Sequence, residues 1–149
     1  MREEHSVGAL WTSIRGEQSR LRTMLDGAGG SDLARRPQGG GWSILEVLRH
    51  LLFAEEAHLG RHEPGHTGWS PLGYTPATMR DARKVGARDE DEPSADEVLA
   101  EWQAVHERLE EALRSRDDEP MAVALERNLR HLRAHIRSIE RALRRGSER

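Results

Sequence analysis

No cysteine occurs in the 149 residues. That excludes a disulfide framework and a thiolate metal site, so any nucleophilic sulfur has to arrive with a ligand. Lysine is nearly absent too: Lys84 is the only one, and the other basic side chains are arginines. One Phe, one Tyr and four Trp leave little surface on which bases could stack. Nor does positive charge steer the chain to nucleic acid, since 26 acidic residues oppose 23 basic ones for a net charge of -3. No nucleic-acid partner is expected. No apolar run approaches the roughly 20 residues that a spanning helix needs, and the opening M-R-E-E-H holds no apolar signal core. The expectation is a cytoplasmic protein with no membrane partner. With 36% hydrophobic and 33% charged residues, the chain reads as one globular domain over residues 1–149, long enough to bury a core.

What is present is helical periodicity. Over residues 3–26, Val7, Leu10, Ile14, Leu21 and Leu25 recur at spacings of three and four, a helix stripe closed by the Gly27-Ala28-Gly29-Gly30 run. A turn of helix fits residues 31–37. At Trp42-Ser43-Ile44-Leu45-Glu46, Ser43 caps a second helix and Glu46 reaches back to complete a capping box. Its inner face carries Ile44, Leu48, Leu51, Leu52 and Leu59, and it runs to about Arg61 before Pro64 and Gly65 stop it. Residues 63–93 lose the pattern among Pro64, Pro71, Pro76 and Pro93. A loop of this length is usually functional, and a lid or crossover is expected there, with a helical turn near residues 75–85. Ser94 and Glu97 repeat the capping box, and Val98, Leu99, Trp102, Val105, Leu109 and Leu113 carry a third helix to about Arg116. A fourth follows Pro120, with Leu125, Leu129, Leu132, Ile136, Ile139 and Leu143 inward and arginines outward, to Arg145, where Gly146 ends it. The fold class is all-α: a four-helix bundle with a long connection between helices 2 and 3.

The chemistry concentrates in residues 128–139, N-L-R-H-L-R-A-H-I-R-S-I. His131 and His135 lie one turn apart, and side chains at that spacing are neighbours able to meet at one ion. Two imidazoles do not complete a site, because Zn, Ni or Fe needs at least three protein ligands at about 2.0–2.2 Å. His50 is the natural third ligand. It lies about two turns into the second helix, and His131 and His135 lie three to four turns into the fourth, so at about 1.5 Å per residue the depths can coincide.

The stretch G-W-S-I-L-E-V-L-R-H-L over residues 41–51 looks like the second-helix signature of the DinB/YfiT-like superfamily, and His131-x-x-x-His135 followed by Ile136 resembles its last-helix motif. The resemblance spans the chain in helix order. It implies a four-helix bundle of DinB/YfiT-like type with an unusual crossover, often a homodimer, that binds a divalent metal through three histidines. Carried onto this chain, the ligands are His50, His131 and His135. Relatives are similar in using a low-molecular-weight thiol (bacillithiol, mycothiol or glutathione) in metal-dependent transfer or isomerisation of a small-molecule substrate; others resemble hydrolases. Residues 58–93 match no pattern of the family.

Other polar residues have bland and sharp readings. Glu55 and Glu56, a turn beyond His50, are candidates to orient a ligand or move a proton, and Asn128 is a second candidate acceptor for a ligating imidazole N–H. His58, His62 and His66 repeat every four residues as a rival site, which Pro64 and Gly65 disfavour. His106 falls on the third helix's apolar stripe, the place of a hydrogen-bonded core histidine. Trp42 reads as a plug at the helix entry, and Trp69 and Tyr74 either contact a substrate or pin the loop. Two functions stand side by side: a metal-dependent thiol transferase, isomerase or hydrolase with an open three-histidine site, and a non-catalytic stress-response or interaction protein whose metal is structural or vestigial. A fourth protein ligand would favour the second.

Overall fold

The computed structural model describes residues 6–35, 41–60, 72–74, 93–114 and 116–147. Among them are five helices and no strand: α1 (Val7–Leu25), α2 (Gly30–Ala34), α3 (Ile44–Leu59), α4 (Ala95–Leu113) and α5 (Glu119–Ser147). The four long helices are those the periodicity predicts. None of the helices described is long and apolar enough to cross a membrane.

The ends follow from local chemistry. Ser6 caps α1 by accepting from the Ala9 amide at 3.2 Å, so this helix starts later than residue 3. Both expected capping boxes are present. Ser43 Oγ accepts from Glu46 N at 3.0 Å while Glu46 Oε1 accepts from Ser43 N at 2.9 Å, and Ser94 and Glu97 repeat the exchange at 3.1 and 3.4 Å. α3 stops at Leu59 with Gly60 as its C-cap, and α4 stops at Leu113, each a residue or more short of the expectation. Asp118 opens α5: its carboxylate accepts from Met121 N at 3.2 Å, where Pro120 lacks the amide that would otherwise need a partner. The nearby Arg116 guanidinium holds the Asp118 carboxyl down to about 2. At the far end α5 continues through Gly146 to Ser147. A glycine stops a helix by turning left-handed, and among the described residues Gly41, at φ 109°, is the only one with positive φ.

α5 packs against α1 and α3, α3 against α4, and α2 against α3. Large side chains close the ring between α1 and α4: Trp11 Nε1 donates to Glu110 at 3.1 Å and an Arg22 guanidinium donates to the Leu99 carbonyl at 2.9 Å. These pairings also fix direction. Going up α1 from Trp11 to Arg22 means going down α4, so the two are antiparallel. Glu17 with Arg133 and Arg20 with Glu140 run the same way on α1 and α5. His50 meets His135 while His58 meets Asn128, so α3 opposes α5. α3 and α4 therefore run parallel. Parallel neighbours cannot be joined by a tight turn, which accounts for the length of the 60–94 connection.

The core is made of the predicted stripes, with Ile14, Leu21, Leu48, Leu52, Leu109, Leu125, Leu132 and Ile136 almost fully buried. It contains a polar exception. Glu55, 1% exposed, accepts from Gln18 Nε2 at 3.0 Å on one oxygen and from Trp102 Nε1 at 2.9 Å on the other. One buried carboxyl thus ties α3 to α1 and α4.

Candidate metal centre

Helix α5 brings His131 and His135 to the surface it turns toward α3, between the buried Leu132 and Ile136 on one side and Asn128 a turn earlier. Helix α3, held in register by the Ser43 cap, brings His50 opposite them. His131 Nε2 lies 3.1 Å from His50 Nε2 and 3.2 Å from His135 Nε2. The three rings meet edge to face, with centroids 4.9, 5.1 and 4.5 Å apart, and all are partly buried. The three residues assembled from the sequence are the three that converge, and among the described residues they form the one group with metal-ligand spacing.

Whether this group suits a cation is decided by its own nitrogens. Ligand atoms about 2.0–2.1 Å from an ion and about 90–110° apart are roughly 2.8–3.4 Å from one another, and the two Nε2 separations fall in that range. His131 Nε2 has one lone pair or one hydrogen and so cannot make good hydrogen bonds to both neighbours. A shared cation satisfies all three lone pairs at once. Those lone pairs are free at neutral pH. Burial, followed by repulsion from the neighbouring imidazoles, lowers His50 and His131 to about 4, and burial lowers His135 as well. The donor set fits a divalent ion.

Around the three rings the surroundings are uneven. The Nδ1 atoms of His50 and His131 are buried and have no hydrogen-bond partner among the described residues. Trp42, partly buried at the entry of α3, lies 6.0 Å from His50 between ring centroids, in keeping with a plug. Asn128 is taken up by a different histidine from the one expected: its Oδ1 accepts from His58 Nδ1 at 3.1 Å, and the His58 ring stands 5.6 Å from that of His131. His62 and His66 lie outside the described residues.

The two glutamate candidates sit deeper. Glu55 is held by Gln18 and Trp102 as above, and Glu56, also 1% exposed, lies 3.4 Å from the Arg108 guanidinium of α4. Neither belongs to the converging group. The Gln18 partnership escaped the sequence reading, although a glutamine exactly four residues beyond Ile14 on an apolar stripe is a signal for it. His106 is in the core as expected: it stacks on Trp11 at 4.1 Å and 16° and lies 3.6 Å from Glu55 Oε2, and among the described residues neither ring nitrogen has a hydrogen-bond partner. Tyr74 pins the long connection. Its ring lies 3.9 Å under the Arg49 guanidinium, its amide donates to the Arg49 carbonyl at 3.0 Å, and Arg49 Nε donates to the Leu72 carbonyl at 2.8 Å. Gly73 permits this approach, because a Cβ there would meet Phe53 Cβ at 3.3 Å. Trp69 lies outside the described residues.

A family model described as the DinB superfamily matches residues 13–147. No curated protein and no solved structure matches the chain.

Proposed function

The chain belongs to the DinB superfamily, and from that premise we propose that it is a divalent-metal-dependent enzyme with an open three-histidine site that acts on a small molecule. The observation that carries this reading is the meeting of His50, His131 and His135 through Nε2 contacts of 3.1 and 3.2 Å. His50 from α3 and the pair from α5 hold the ion between antiparallel helices. Partial burial keeps all three imidazoles neutral and ready to ligate. Zn, Ni and Fe all suit such a donor set. When bound, the ion supplies Lewis acidity and lowers the pKa of a water or thiol in its open position.

The chain has no cysteine, so a sulfur nucleophile has to be exogenous: a low-molecular-weight thiol such as bacillithiol or mycothiol in a transferase or isomerase, with water taking its place in a hydrolase. The alternative, a structural or vestigial metal, calls for a fourth protein ligand. The described residues offer three in the group, which favours the open site.

Cobalt(II)-loaded protein tests the open position directly. Addition of a low-molecular-weight thiol is expected to produce a sulfur-to-cobalt charge-transfer band. A cobalt spectrum that neither thiols nor small anions move would mark a closed site and contradict the reading.

A further inference from the structure

We infer that His58 is the hydrogen-bond acceptor for the molecule in the open position of the three-histidine centre, so that the site prefers ligands bearing an N–H or O–H beside the atom bound to the ion. The inference rests on the metal reading and gives it a substrate class.

His58 lies on α3 two turns beyond His50. Because α3 and α5 are antiparallel, it falls beside His131 on the side away from His135. Its ring meets that of His131 edge to face at 5.6 Å and 86°, against 4.5–5.1 Å within the triad. Its partner decides its chemistry. Asn128, 3% exposed, offers its amide oxygen to Nδ1 at 3.1 Å. An oxygen with no proton can only accept, so Nδ1 carries the hydrogen of this bond, and in the uncharged tautomer that satisfies it the lone pair is on Nε2. A histidine whose Nδ1–H is fixed by an acceptor is oriented as metal-ligating histidines usually are. The nitrogens of His58 nevertheless fall outside the group of three, whose members lie within 4.8 Å of one another. An imidazole fixed in this way beside the three-histidine group, without belonging to it, is suited to receive a proton donor carried by the ion's exogenous ligand.

Two probes of similar size that both bind an ion as monoanions separate this role from its rivals: acetohydroxamate, which carries an N–H, and acetate, which has no donor. Each is titrated into the cobalt(II)-loaded full-length protein and followed in the visible spectrum. In His58→Phe, cobalt stays stoichiometric, the acetohydroxamate dissociation constant rises about tenfold, as loss of one hydrogen bond predicts, and that for acetate stays within about twofold. Asn128→Leu, which leaves the ring but frees it, gives a smaller rise for acetohydroxamate alone. Loss of cobalt from His58→Phe would make His58 a ligand and overturn the inference. So would equal weakening of both probes, or no weakening in either variant. If wild-type protein takes up no cobalt, the three-histidine reading itself fails, and this is seen before any probe is added.

Discussion

At the scale of single residues, the polar side chains separate into a group that converges on one point and a group that braces the core. The bracing is strongest at Glu55, whose two oxygens hold Gln18 and Trp102. Replacing Gln18 by Leu leaves a buried carboxyl oxygen unpaired, a change that costs about 1–3 kcal/mol. Urea unfolding is expected to show that loss, and a change below about 0.5 kcal/mol would mean that the contact is not made in solution. The converging group has a pH signature. His50 and His131 sit near 4 in the folded chain against 6.5 for an exposed imidazole, so between those values the unfolded chain binds protons that the folded chain refuses. Stability of the metal-free protein therefore falls as pH drops from about 6.5 to about 4 and loses nothing further from these groups below that. Urea midpoints in the presence of a chelator check it. The fall is expected to be steeper in wild type than in His131→Phe, which carries the same carboxylates; parallel curves would contradict it. His131 and His135 were legible in the sequence from their one-turn spacing, and His50 from its depth together with the family resemblance; that the three meet depends on α3 and α5 running antiparallel. Glu55 was not read as a core brace, because its partners come from α1 and α4 and only the packed bundle puts them within reach.

At the scale of elements, the caps carry the site. Ser43 is 1% exposed and closes the box that starts α3, seven residues before His50. Ser43→Ala removes the acceptor for a buried amide and is expected to cost about 1–2 kcal/mol, measurable as a lowered denaturant midpoint. Ser94→Ala acts on a more exposed box and is expected to cost less, and a larger loss at Ser94 than at Ser43 would contradict this ranking. Helix starts were readable because a serine followed three residues later by glutamate states its own hydrogen bonds. Helix ends were less so. Whether a glycine stops a helix depends on its φ, and Gly146 remains right-handed within α5, where composition alone suggested a stop.

At the scale of the whole molecule, direction matters more than helix count. α1 and α5 run one way and α3 and α4 the other, which sets the His50 turn of α3 against the His131–His135 turn of α5. The periodicity foretold four long helices and a long connection. The parallel pairing of α3 and α4 emerges only from long-range contacts such as Arg22 with Leu99 and Glu17 with Arg133. Of that connection, the Leu72–Tyr74 strap on Arg49 lies within the described residues. The central claim is that α3 and α5 jointly hold one divalent ion. It is tested most directly by elemental analysis of the untagged protein beside His50→Ala and His135→Ala. One divalent metal per wild-type chain, and little or none in either variant, is the result predicted; stoichiometric metal retained by both variants would contradict it.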